Sequence, residues 1–135
     1  MLPLSEIQTV LYGTLTAALA PVPVVDHAGP DQEYPYATIG EFTVEPLDTL
    51  RDAGSGVEVM LHLWSRQRGM LELETMMSAA GAALHRQYFS LPGDLQWVST
   101  IQEYAATLRD ADGMTRHGVM RFRVSIFQPA ASAAQ

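Results

Sequence analysis

Apolar and polar side chains alternate most clearly near the end of the chain. In the segment 119–127 every even position is apolar, while the odd positions include two arginines and a serine. Successive side chains of a strand point to opposite faces, so this pattern predicts a strand with one buried face. Asp112-Gly113 is a turn signal, so the segment 110–127 is predicted to be the last strand, following a hairpin turn. The positions predicted to face the core are Met120, Phe122, Val124 and Ile126.

A second alternating segment runs from Val57 to Ser65. The positions predicted to face the core are Val57, Val59, Leu61 and Leu63. The positions on the other face are Glu58, Met60, His62 and Trp64. Because Met60 and Trp64 are large and apolar, this second face is predicted to be either covered within the protein or available to a partner.

Two segments show the three-and-four spacing of an amphipathic helix. The first runs from Leu4 to Leu19, and Ser5 with Gln8 matches a capping box at its start. Prolines at 21 and 23 end it. The second helix is predicted from Leu71 to His85. Its apolar stripe consists of Leu73, Met76, Met77, Ala80 and Leu84.

The remaining segments read as strands and loops. Residues 22–27 suit an edge strand, and the segments 34–44 and 95–108 are mostly extended. The polar segment 45–56, with Gly54-Ser55-Gly56, is predicted to be a mobile or partner-contacting loop. The fold class that follows is α+β, with an antiparallel β-sheet of about four to five strands and two helices packed on one face. Residues 1–128 are expected to form a single domain, and the alanine-rich 129–135 a flexible C-terminal tail.

Composition narrows the classes of function. The chain has 135 residues, of which 47% are hydrophobic and 17% charged, which is ordinary for a globular domain with one core. No apolar run approaches the ~18 residues of a membrane span, so no membrane partner is expected. The absence of cysteine excludes disulfides and thiolate chemistry. A net charge of −7 argues against a protein that wraps nucleic acid through phosphate contacts.

The sequence carries no catalytic, cofactor or metal motif. The histidines at 27, 62, 85 and 117 lack metal-ligand spacing, and Asp110-Ala-Asp112-Gly113 lacks the later acids of a calcium loop, which favours a hairpin turn. No glycine-rich phosphate loop or nucleophile motif occurs. We therefore expect no cofactor and no enzyme activity. Arg116, Arg121 and Arg123 are expected to pair with acids on the neighbouring strand, such as Glu103, with a contact to DNA or a partner as the alternative.

Three further features carry a family resemblance. They are Tyr-Pro-Tyr at 34–36 leading to Ile39-Gly40, Leu-His-Leu-Trp-Ser-Arg at 61–66, and Asp-x-Asp-Gly-x-Thr-Arg-His-Gly-Val-Met-Arg-Phe at 110–122. With these in this order, the chain resembles the small tail-completion proteins of long-tailed bacteriophages. The nearest are the tail terminators and head-to-tail joining proteins of siphoviruses and the related component of gene transfer agents. The resemblance covers nearly the whole chain.

The resemblance implies a structural role in assembling a particle. Family members are α+β subunits that form a hexameric ring, cap the tail tube, stop its growth and dock the head's connector. It implies as partners other copies of the chain, the tail tube protein, the head-tail connector, and double-stranded DNA that passes through without sequence-specific binding. The implied place is the tail-neck junction of a virion or phage-like particle assembled in the bacterial cytoplasm.

Two alternatives stay open at this point. One is a neck or head-completion protein of the same particle, and the other is a small enzyme or ligand-binding domain, which would need a pocket of convergent polar groups. For a ring, each subunit needs two different patches that meet. The expected contact surfaces are the Met60 and Trp64 face, the segment 45–56, the edge strand near Val24, the C-terminal tail, and the entry to the last strand at 115–118 with its outward arginines. The interface candidates are Trp64, Met60, Arg66, Arg116, His117, Arg121, Arg123, Asp48 and Arg51.

Overall fold

The computed structural model describes residues 3–50 and 52–128, so Arg51 and the predicted C-terminal tail, 129–135, lie outside the described residues. It confirms the element order expected from the sequence: helix, three strands, helix, two strands. The elements are α1 (Leu4–Leu19), β1 (Val24–Val25), β2 (Tyr36–Pro46), β3 (Ala53–Ser65), α2 (Leu71–Leu84), β4 (Gln96–Arg109) and β5 (Arg116–Gln128).

The five strands form one sheet in the order β1-β2-β3-β5-β4. The α+β class is confirmed, but the sheet is mixed, because β1 pairs with β2 in parallel while the other three pairings are antiparallel. The parallel pair arises because the segment 26–35 carries the chain back to the end of the sheet at which β1 begins. β5, the last strand in the chain, lies inside the sheet between β3 and β4.

One face of the sheet and both helices share a hydrophobic core. Every apolar position that alternation assigned to the core on β3 and β5 is buried, with at most 3% of its surface exposed. No helix in the described part of the chain is long and apolar enough to cross a membrane. The buried residues that the helices contribute are Ile7, Leu11, Leu15 and Leu19 from α1, and Leu73, Met76, Ala80 and Leu84 from α2.

The start of α1 differs from the capping box expected at Ser5 and Gln8. The helix spans Leu4–Leu19 as predicted, but no side chain caps it. The Pro3 carbonyl accepts the N–H groups of Glu6 and Ile7, each at 3.1 Å. Ser5 therefore lies inside the first turn, where its side chain cannot act as the N-cap.

The loop expected at 45–56 is shorter than predicted, because half of that segment belongs to the two strands of a β-hairpin. β2 continues to Pro46 and β3 begins at Ala53, so only the segment 47–52 connects them. Close packing around position 54 requires a glycine there. A Cβ there would lie 2.4 Å from the Phe127 ring and 2.8 Å from the Leu47 carbonyl oxygen. The strand expected at 22–27 is shorter than predicted, only Val24–Val25, but it does lie at an edge of the sheet.

Replacing Phe122 with alanine tests the core. The side chain is 1% exposed, so Phe122→Ala should lower the free energy of unfolding by about 3–5 kcal/mol. Ile101→Ala is the matched control, because Ile101 lies on the next strand and is 39% exposed, and we expect a loss of less than about 1 kcal/mol there. Urea denaturation followed by circular dichroism measures both. Equal losses in the two variants would contradict the core assignment.

Candidate functional site

The face of the sheet opposite the helices carries the most unusual group of side chains. We call it the open face, and its members are half-buried or exposed apart from Tyr36, which is 7% exposed. The strand register places Tyr36 opposite Trp64, Trp64 opposite His117, and His117 opposite Leu108. The open face comprises Tyr36 and Thr38 of β2, Met60, His62 and Trp64 of β3, His117, Val119, Arg121 and Arg123 of β5, and Ile101, Tyr104 and Leu108 of β4.

Stacked rings occupy one end of the open face. The rings of Trp64 and His117 are nearly parallel, at 6°, with centroids 3.8 Å apart. Tyr36 lies on the other side of Trp64, at 6.0 Å, and Tyr34 lies 5.1 Å from Tyr36. Burial, and then the nearby Tyr34, raise the pKa of Tyr36 above its usual value. We call Tyr34, Tyr36, Trp64, His62 and His117 the aromatic row.

His62 and His117 form a hydrogen-bonded pair within this row. His62 Nδ1 and His117 Nε2 are 2.9 Å apart, and the two rings stack with centroids at 5.1 Å. One nitrogen must donate and the other accept, so at least one of the two rings is neutral when the bond is made. Burial, and then the neighbouring His62, lower the pKa of His117. Protonation of both rings would break the bond and place two positive charges together.

Arg66 joins the aromatic row to the β4–β5 turn. Its guanidinium lies 4.2 Å from the Tyr34 ring centroid, and its Nε donates to Thr115 Oγ1 at 3.0 Å. The buried Thr115 hydroxyl in turn donates to Asp112 at 2.7 Å. Arg66 also approaches the Asp112 carboxylate at 3.9 Å. The end of β3 is therefore tied to the turn through Arg66.

Asp112 organises this turn, as expected for Asp-Gly chemistry. Its Oδ1 accepts the backbone N–H groups of Met114 and Thr115, both at 2.8 Å, and Gly113 has φ of 73°. The Thr115 hydroxyl and these two N–H groups lower the pKa of Asp112 to about 2. The predicted hairpin turn is confirmed. The described residues contain no group of three or more histidine, cysteine or acidic side chains placed to hold a metal ion.

Ion pairs fill the other half of the open face. Arg123 donates to Glu103 at 3.0 Å and also to Glu45, and these two bonds, Glu103 first, raise the pKa of Arg123. Arg121 lies 3.7 Å from Glu58 and 3.8 Å from Glu103. The expected pairing with acids is wrong for Arg116, which makes no ion pair within residues 3–50 and 52–128, because it lies on the opposite face of β5 from the glutamates. The expectation is confirmed for Arg121 and Arg123, which pair with acids such as Glu103. Their charges are compensated, so this half is not the uncompensated basic stripe that a phosphate-binding surface needs.

The structure brings only some of the interface candidates together. Trp64, His117 and Arg66 meet at the aromatic end, while Met60, Arg121 and Arg123 continue the same face. Arg116 begins β5 opposite Ser65, at the same end of the sheet.

Two further candidates lie elsewhere. Asp48 belongs to the β2–β3 turn, at the opposite end of the sheet, where it accepts the Gly54 N–H at 3.0 Å. Arg51 is not among the described residues. Asp48 is therefore separate from the aromatic row.

Three members of the aromatic row were not among the sequence candidates: Tyr34, Tyr36 and His62. Alternation along β3 places His62 between Met60 and Trp64 on the same face, so His62 could have been predicted from the sequence. For Tyr34 and Tyr36 the sequence offered only a motif, because their partners come from strands whose register cannot be read from one sequence.

Comparison with known proteins gives consistent matches. The profile of the family described as "Tail completion protein gp17" matches residues 8–126. "Tail completion protein gp17" of Bacillus phage SPP1 is 27% identical over 103 residues, covering 76% of this chain and 75% of that protein.

Two solved structures share the fold. A chain of the "Virion of native gene transfer agent (GTA) particle" superposes with a TM-score of 0.77 at 17% identity, covering 91% of this chain and 96% of that chain. The structure of SPP1 gp17 superposes with a TM-score of 0.58 at 19% identity, covering 97% and 93%.

The His62–His117 pair predicts a pH dependence of folding. Since the folded state lowers the pKa of His117 below the unfolded value near 6.5, the unfolded state binds more protons as pH falls. The stabilisation is therefore complete above about pH 6.5 and is lost as pH falls from there through the lower folded pKa. Urea denaturation at several pH values measures the slope.

His117→Phe retains a ring against Trp64 but cannot be protonated, so the slope in this pH range should be flatter than in the unmodified chain. His27→Asn is the control, because His27 is exposed and lies outside the aromatic row. It should leave the slope unchanged. The same slope in His117→Phe as in the control would contradict a role for the pair.

Proposed function

The chain belongs to the tail completion protein gp17 family, and we propose that it acts as the tail terminator of a phage or phage-like particle. Family membership confirms the resemblance found in the sequence and makes the chain a structural component of phage-type tails. The finer role proposed here is a hexameric ring that caps the tail tube, stops its growth and joins the tail to the head connector.

The aromatic row is the single observation that carries this proposal. Large rings are usually buried in a core, yet here Trp64 and His117 stack on the face that no helix covers among the described residues. Stacking and hydrogen bonds hold them in place before any partner arrives, which lowers the entropy lost on association. Aromatic residues are enriched in protein interfaces. We propose that Trp64, His117, Met60 and Arg66 contact a neighbouring subunit.

Charge supports the proposed passage of DNA through the ring. The chain carries fifteen acidic residues against eight basic ones. Arg121 and Arg123 are paired with glutamates, so they offer little free positive charge to phosphates. A surface with few free cations releases few counterions and holds duplex DNA weakly. Such a ring would let DNA slide without sequence-specific binding.

Particles assembled without this protein test the role directly. A tail terminator should be needed to stop tube growth, so its loss should give tails of irregular length without heads. Electron microscopy of such particles, with the unmodified gene supplied in trans as control, measures both features. Tails of normal length that merely fail to join heads would favour the neck role and overturn the terminator role.

Trp64→Glu tests the proposed interface. The charge should weaken ring formation, because desolvating an unpaired carboxylate is costly, while the monomer should stay folded since Trp64 lies outside the core. Light scattering measures the mass, and circular dichroism verifies folding. Tyr88→Glu is the control, because Tyr88 is 76% exposed and lies outside the open face. An unchanged hexamer in Trp64→Glu would exclude this residue from the interface.

A further inference from the structure

The two edges of the sheet carry opposite charges at the same end. The register aligns Tyr36, Trp64, His117 and Leu108 across the sheet from β2 to β4. The segment 26–33 precedes Tyr36 on the β1 side, and Arg109 follows Leu108 on the β4 side. The two ends of this row therefore meet two different charged patches, one on each edge.

The patch on the β4 side contains two arginines. Arg109 and Arg116 stand directly opposite each other in the β4–β5 pairing, an arrangement that is destabilising for like charges. Neither makes an ion pair with any carboxylate in the described part of the chain. Arg116 Nη1 donates to the Met114 carbonyl oxygen, while its Nε is buried without a hydrogen-bond partner. Of the acids in the adjacent turn, Asp112 is held by Thr115 and Arg66, and Asp110 directly follows Arg109.

The patch on the β1 side is the acidic loop, residues 26–33. Asp26, Asp31 and Glu33 are all exposed, and none makes an ion pair within residues 3–50 and 52–128. The loop contains no arginine or lysine, and its only other titratable residue is the exposed His27. It lies against Pro23, immediately before β1, with which residues 29–33 line a shallow depression. It therefore borders the sheet edge opposite Arg109.

We propose that the acidic loop of one copy docks on the Arg109–Arg116 edge of the next copy. This contact rests on the proposed ring and specifies how its subunits meet. In a closed ring each subunit presents one surface to the copy on its left and a different one to the copy on its right. Two patches of opposite charge, at the same level on opposite edges, meet that requirement. A two-fold dimer would bring like patches together instead.

The charges in this contact act mainly on orientation and specificity. Complementary patches steer encounter and disfavour the reversed arrangement, in which acids would face acids. The arginines gain carboxylate partners that the described part of their own chain does not supply, which relieves the like-charge pair in β4–β5. Exposed ion pairs are screened by salt, so assembly should weaken as ionic strength rises.

Cross-linking tests whether the two patches meet between copies. The chain contains no cysteine, so only introduced cysteines can react. A double variant with Gly29→Cys and Ala111→Cys keeps every charge of the contact, since Gly29 has open space for a side chain and Ala111 is exposed in the turn after Arg109. Treated with a short bismaleimide, it should give a ladder of linked subunits that ends at the closed ring. Each single variant can link at most two chains. The matched control pairs Gly29→Cys with Asp94→Cys, since Asp94 is exposed just before the opposite end of β4. The control should give no ladder.

Exchanging the charges of the two patches tests whether charge complementarity causes the contact. Arg109→Glu alone, and Asp31→Arg with Glu33→Arg, should each weaken self-association by about tenfold or more. The combination of all three substitutions should restore association to within about threefold of the unmodified chain. Sedimentation velocity at about 0.05 M and about 0.5 M salt measures the association and its screening. Circular dichroism verifies that each variant is folded.

The outcomes separate this contact from the ring itself. A ring without a ladder would overturn the contact and leave the proposed ring standing. If the ladder forms but the charge-exchanged variant does not regain association, charge complementarity is not the cause of the contact. Absence of both a ring and a ladder, even on assembled tails, would overturn the ring and the contact together. Loss of DNA binding in Arg109→Glu with unchanged self-association would assign the arginines to phosphate and overturn the proposal.

Discussion

The pairing of β3 with β5 is the interaction on which the rest of the structure depends. The two strands, each of 13 residues, pair over their whole length in the middle of the sheet. On one side this register packs Phe122 opposite Val59 in the core. On the other side it lays Trp64 on His117. A slip of one residue would move the core set to the open face and the rings into the core, so stability and the candidate interface depend on the same register.

The two halves of the open face are held by different kinds of interaction. At one end, stacked rings and the His62–His117 bond hold apolar surface in a fixed shape. At the other, Arg121 and Arg123 are neutralised by glutamates from three strands. Exposed ion pairs of this kind add little stability, but they leave this half with little free positive charge. The face is therefore suited to protein contact at its aromatic end and to weak interaction with polyanions elsewhere.

The charged side chains are distributed unevenly between the two sides of the sheet, which the net charge does not reveal. The chain is acidic overall, with −7, yet Arg109 and Arg116 stand together on one edge and Asp26, Asp31 and Glu33 on the other. The aromatic row spans the sheet between these edges. A subunit with this polarity has two distinguishable sides, as any closed ring of identical copies requires.

Patterns in the sequence predict which side chains face the core and the order of the elements. Both are local properties: alternation reports the faces of β3 and β5, and three-and-four spacing reports the buried stripes of α1 and α2. The motifs around Tyr34, Trp64 and Asp112 also indicated the family. Which strands are neighbours, the parallel pairing of β1 with β2, and the short 47–52 connection are visible only in the folded structure. The stacking of Trp64 on His117 depends on the register between strands that are distant in the chain. The alignment of the two charged patches at one end of the sheet depends on the same register. No local pattern in a single sequence encodes it.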